Sequence, residues 1–149
     1  MVERAVQLDP YLFDAWFTRG FVFRLINNAP EAQKSFYRCI ALRPDRADCW
    51  GSLGIALHVR GDIESALLIH ARALTLDLYF REGLANQALA MKELGRYESA
   101  VGAYARAIVI SPDLFDAYVN SGICNLLLGR FALGWRQYEF RWRSEAALL

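Results

Sequence analysis

The sequence predicts an all-α fold, a superhelical solenoid of antiparallel helix hairpins, and three observations carry that prediction. A pattern of large and small residues returns every 34 positions. Within each unit the apolar residues fall three and four places apart, the spacing of one helix face. Asparagine or glycine stands between the halves of each unit, where the left-handed conformation ends a helix.

The first half of the unit is read from Trp16, Trp50, Leu84 and Tyr118, all large and apolar and spaced by 34. Four places on, the residue is small every time: Gly20, Gly54, Ala88 and Gly122. Three places further stand Phe23, Leu57 and Met91, with Asn125 out of pattern. A small residue beside a large one lets two helices approach closely. The second half repeats Ala32, Ala66, Ala100 and Gly134, then Phe36, His70, Tyr104 and Tyr138. Cys39, Ala73 and Ala107 follow, and Arg141 breaks their series. Pro44, Leu78 and Pro112 close the first three units, and Pro10 and Ala5 extend the register backward.

Each unit is therefore expected to be a two-helix hairpin. First helices are expected near 13–26, 47–59, 81–93 and 115–128, and their partners near 31–42, 63–76, 97–110 and 131–145. The turns are Asn27-Asn28-Ala29-Pro30, Gly61-Asp62, Gly95-Arg96 and Gly129-Arg130. Pro30 suits the first turn of the helix that follows. The expected organisation is a single domain over 1–149, with a partial repeat at 1–12 and repeats at 13–46, 47–80, 81–114 and 115–149, the last ending in a capping helix.

With Trp50-x-x-Leu53-Gly54-x-x-Leu57, Ala66 and Ala73 in this register, the unit resembles the tetratricopeptide repeat (TPR) family, over nearly the whole chain. It departs from the family at Arg19, Gln87 and Ser121, which take a slot usually held by Leu. It departs also at His70 for an aromatic, Leu78 for the closing Pro and Arg141 for a small residue.

The resemblance implies a concave groove lined by first helices, the usual binding face of stacked repeats. Its lining falls one, two, five and eight places after the large first-helix residue. These are Phe17, Thr18, Phe21 and Arg24; Gly51, Ser52, Ile55 and His58; Ala85, Asn86, Leu89 and Lys92; and Val119, Asn120, Ile123 and Leu126. The second slot is short and polar throughout, and the fifth is apolar throughout. An amide both donates and accepts, so it pairs with a peptide backbone of any sequence. The resemblance implies that role for Asn86 and Asn120, with Phe17, Phe21, Ile55, Leu89 and Ile123 as apolar floor. The competing reading is that these side chains are merely solvated or brace neighbouring helices. The carboxylate clamp of one TPR subtype is not rebuilt here, because Glu82 precedes Asn86 where that clamp wants Lys.

Composition bounds the function. The 149 residues carry 17 basic and 16 acidic side chains, a net charge of +1 that gives no footprint for nucleic acid. No apolar stretch reaches the ~18 residues of a membrane span, and no secretory signal opens the chain. Cys39, Cys49 and Cys124 match no zinc spacing and read as small buried residues of a reducing compartment, with a reactive thiol as the lesser alternative. His58 and His70 lack a metal-ligand spacing and read as one surface and one packed histidine. Asp14, Asp48, Glu82 and Asp116 recur in first helical turns, where the helix dipole accounts for them. No catalytic or phosphate-binding signature is present, so no enzyme activity, cofactor or metal is expected.

The segment Leu128–Arg143, with Gly134-Trp135 followed by Tyr138-Glu139-Phe140-Arg141-Trp142-Arg143, resembles the last unit of bacterial TPR segments near glycosyltransferase-like domains. Spacing puts Trp135, Tyr138 and Trp142 on one face. Either they pack as a cap, or with Arg141 they dock a missing domain or a second copy of the chain. Exposed aromatics and arginines are common interface anchors. The leading expectation is a non-enzymatic scaffold, cytoplasmic and bacterial, that binds a protein or peptide segment in its groove. The alternatives are a substrate-recruiting arm of a larger O-GlcNAc-transferase-like protein, and a self-assembling repeat module.

Overall fold

A computed structural model describes residues 2–9 and 11–146. Met1 and Pro10 of the partial first unit, and residues 147–149 of the last, lie outside the described residues. The elements are α1 (Val2–Leu8), α2 (Phe13–Leu25), α3 (Ala29–Leu42), α4 (Ala47–Val59), α5 (Ile63–Leu76), α6 (Arg81–Glu93), α7 (Tyr97–Ile110), α8 (Phe115–Leu127), α9 (Phe131–Tyr138) and α10 (Arg141–Ala146). No strand occurs among the described residues. The chain forms two compact units, Met1–Phe80 and Arg81–Leu149, which divide at a predicted repeat border.

The hairpin turns repeat with the 34-residue period. Asn27, Gly61, Gly95 and Gly129 all have positive φ, between 57° and 84°. The next residue's N–H then reaches back five positions: Asn28 to Phe23 O, Asp62 to Leu57 O, Arg96 to Met91 O and Arg130 to Asn125 O, at 2.8–3.1 Å. Each turn thereby satisfies carbonyls that the helix end would leave open. A Cβ at Gly95 meets nothing within 4 Å, so any cost there is conformational. Gly95→Ala is expected to destabilise the second unit by about 1 kcal/mol. A denaturant midpoint equal to the parent's would contradict that.

In the first unit, α2 packs on α3, α3 on α4 and α4 on α5, while α1 packs on α2. The core gathers Ala32, Phe36, Cys39, Cys49, Leu53, Ala56, Leu57 and Ala66. The small slot works as the sequence implies: a Cβ on Gly20 would lie 2.6 Å from the Phe36 ring, and one on Gly54 would lie 2.5 Å from the His70 ring. In the second unit, α6 packs on α7, α7 on α8, α8 on α9, and α10 folds back on α8. Its core gathers Ala88, Ala100, Ala103, Tyr104, Ala117 and Cys124.

Two boundaries differ from expectation. Helix α3 begins at Ala29 rather than near 31, because Asn28 accepts from Glu31 N–H at 3.4 Å and Pro30 sits in the first turn. The last helix does not run over 131–145: it stops at Tyr138, and α10 starts at Arg141. The break lets Phe140 stack on Tyr118 at 4.2 Å and on Phe115 at 6.2 Å. Tyr118 holds the slot of Trp16 and Trp50, so a folded-back aromatic covers it.

The departures from the repeat pattern have local partners. Arg19 donates to Ser35 Oγ (2.6 Å), Glu31 (2.7 Å) and Glu3 (3.1 Å), and its guanidinium lies over the Phe23 ring at 4.6 Å. Asn125 is fully buried; it donates to Gln137 Oε1 at 2.7 Å and accepts from Arg130 at 3.4 Å. Arg130 in turn pairs with Glu98 at 2.7 Å. A polar chain thus links α7, α8 and α9 where the other units place an apolar side chain.

Candidate binding site

The groove slots lie on α2 and α4 in the first unit, and on α6 and α8 in the second. Each of these pairs is in contact. On α2, Thr18 is exposed and Phe21 is 42% exposed, with the Arg24 guanidinium 4.7 Å from its ring. Phe17 is half-buried: it stacks on Phe13 at 5.9 Å and meets Phe36 edge-on at 6.0 Å. Its ring is therefore partly committed to the core. Ser52 and Ile55 of α4 are half-buried. Gly51, expected to line the groove, is instead buried, because the Phe80 ring lies where its Cβ would be, at 2.5 Å.

On α6 and α8, Asn86, Leu89, Asn120 and Ile123 are all half-buried. The two asparagines are not equivalent. Asn120 Oδ1 accepts from Lys92 Nζ at 2.6 Å, and its Nδ2 donates to Asp116 O at 2.9 Å. Asn86 makes no side-chain hydrogen bond among the described residues, so its amide keeps both a donor and an acceptor for another chain. The Lys92–Asn120 bond was missed from sequence. It joins the eighth slot of one unit to the second slot of the next, which the register itself places on neighbouring first helices.

At the end of the second unit, Trp135 is 55% and Trp142 59% exposed. Trp135 meets Tyr138 edge-on at 6.0 Å. Because the helix breaks after Tyr138, these aromatics do not share one helix face, as the spacing had implied. Arg141 joins them instead: its guanidinium lies 4.5 Å from both the Tyr138 and the Trp142 rings and donates to Tyr138 O at 3.2 Å. Arg141 falls beyond the break, so it never meets the junction that needs a small residue.

His70 is fully buried, and neither ring nitrogen has a hydrogen-bond partner among the described residues. Burial, with a smaller contribution from His58, lowers its pKa to about 4, so the ring is neutral at pH 7. The three cysteines are free and buried. A hydrogen bond with Cys39 and burial push the Cys49 thiol up, and burial pushes Cys124 up. Thiols held neutral in this way are poor nucleophiles. No described helix is long and apolar enough to cross a membrane.

No protein-family model matches the chain. Among solved structures, it superposes on MamA with a TM-score of 0.88 at 19% identity, covering 98% of this chain and 85% of that one. It superposes on YrrB, described as a TPR protein with an unusual peptide-binding site, with a TM-score of 0.78 at 19% identity, covering 93% and 72%. The Arabidopsis OM64 TPR domain gives 0.73 at 18% identity, covering 75% and 93%. In sequence, the chain is 33% identical over 79 residues to mouse Protein O-mannosyl-transferase TMTC1, 50% of this chain and 8% of that protein. It is 27% identical over 73 residues to the Tetratricopeptide repeat-containing protein trd-1 of Caenorhabditis elegans, 49% of this chain and 10% of that protein. The chain thus spans a tenth or less of the length of these relatives. The fold is that of tetratricopeptide repeats, as the 34-residue register implies.

Proposed function

We propose that this TPR-fold chain is a non-enzymatic scaffold whose first-helix faces hold a peptide or protein segment. The observation that carries the reading is the Asn86 amide, half-buried and without a side-chain hydrogen bond among the described residues. The recurring short polar and apolar slots at Thr18, Phe21, Ser52, Ile55, Asn120 and Ile123 support it. Such a face offers apolar contact for side chains and an amide for the main chain. Binding to an array of short neutral peptides that bear apolar residues tests the idea. Asn86→Ala is expected to weaken binding by about ten-fold, the worth of one well-formed hydrogen bond left unmade. Asn120→Ala is expected to cost less, since Lys92 and Asp116 O already hold that side chain. Unchanged binding by both variants would sink the reading.

A second reading is an arm of a larger glycosyl-transferring protein, favoured by the 33% identity to a protein O-mannosyl-transferase. In that reading Trp135, Tyr138, Arg141 and Trp142 dock another part of the same protein. Its test is the coding sequence on either side of the chain. A glycosyltransferase domain encoded there supports the arm, and flanks that hold only further repeats count against it.

A further inference from the structure

The first unit carries a second concavity that belongs to neither the groove nor the terminal aromatic face. A cleft of about 430 Å³ opens between α2 and α3, lined by Trp16, Pro30, Gln33, Lys34, Tyr37 and Arg38. Its walls are aromatic rings and a proline ring, and its charged lining is wholly basic. Arg38 lies over the Trp16 ring at 5.6 Å. Neither Lys34 nor Arg38 has a carboxylate within ion-pair distance among the described residues. Glu31, the acid nearest in sequence to Lys34, is turned to Arg19 at 2.7 Å.

Side-chain hydrogen bonds tie the wall to the end of α4. Gln33 Oε1 accepts from Arg60, the residue that caps α4, and Gln33 Nε2 donates to Tyr37 Oη at 3.5 Å. Gln33 thus bridges Tyr37 and the C-cap of α4. A preset pocket with apolar walls and a few placed polar groups is the usual form of a binding site.

We propose that this cleft docks an acidic partner segment that inserts one large apolar side chain between Trp16 and Tyr37 and sets its carboxylates against Lys34 and Arg38. Charge complementarity selects that occupant. The exposed tryptophans of a second copy, Trp135 and Trp142, do not fit: they travel with Arg136, Arg141 and Arg143, which would meet Lys34 and Arg38 as like charges.

An NMR titration tests this, with the blocked peptide Glu-Asp-Phe-Asp-Glu and its neutral counterpart Gln-Asn-Phe-Asn-Gln. The acidic peptide is expected to shift the Trp16 indole and the α3 amides. The double variant Lys34→Glu/Arg38→Glu, both exposed and so compatible with the fold, is expected to weaken binding by about ten-fold or more. Asn86→Ala is expected to leave it unchanged, which separates this site from the groove. Equal binding of both peptides, shifts that survive the double variant, or no shift at all would each overturn the proposal. So would a concentration-dependent increase in size abolished by Tyr37→Ala, which would assign the cleft to a second copy.

Discussion

Gly122→Val is expected to lower the stability of the second unit by about 3 kcal/mol, at the upper end of what overpacking usually costs. A Cβ at 122 would lie 2.7 Å from Tyr138 N and 2.8 Å from Gly134 O. Both are backbone atoms of α9, so no side chain can rotate aside; the α8–α9 pair must separate. Gly20 and Gly54 differ in this respect, since rings face them and can shift. Gly102 is the natural control: its Cβ would meet nothing within 4 Å, so Gly102→Ala is expected to stabilise α7 by about 0.5–1 kcal/mol. Denaturant unfolding of both variants reads the difference. A cost below about 1 kcal/mol at position 122 would mean that the pair is not held at backbone contact.

His70→Phe is expected to stabilise the first unit by about 2 kcal/mol at neutral pH and to remove most of its acid sensitivity. The parent buries two ring nitrogens with no partner, which burial alone penalises. Phe36 holds the same slot 34 residues earlier and packs on Gly20 as His70 packs on Gly54, so a phenyl ring fits that geometry. The pH dependence follows from the lowered pKa. Below pH 6.5 the unfolded chain binds a proton that the folded chain refuses until about pH 4. Stability is therefore complete above pH 6.5 and falls as the pH drops toward 4, by about 3 kcal/mol in all. Thermal melts across that window should slope for the parent and flatten for the variant. A variant that melts lower, or that keeps the slope, would show that His70 has a partner in solution.

The helices and their pairing were legible in the sequence because the same physics repeats four times. Asn27, Gly61, Gly95 and Gly129 mark the left-handed turns, and Gly20, Gly54, Ala88 and Gly122 mark the close approaches, in one register. What escaped was what happens once. Phe140 stacks on Tyr118 where the last helix breaks, at the place from which Arg38 and Arg72 lie over Trp16 and Trp50 in the first unit. Arg19 and Asn125 looked like faults in the pattern, yet each has a partner twelve or more positions away in sequence. The same limit applies at the candidate groove. Its slots follow from register, but that Lys92 occupies Asn120 while Asn86 stays uncommitted depends on side-chain geometry between helices. The cleft beside Trp16 was hidden for a related reason: only the packing of α2 on α3 shows a cavity there.

Whether the first-helix faces bind is read by chemical-shift mapping with an array-selected neutral peptide. The largest shifts are expected on α6 and α8, led by the Asn86 side-chain amide, with further shifts on the α2 and α4 slots Thr18, Phe21, Ser52 and Ile55. Shifts confined to α3, α5 or α7, with the Asn86 amide unmoved at saturation, would contradict it.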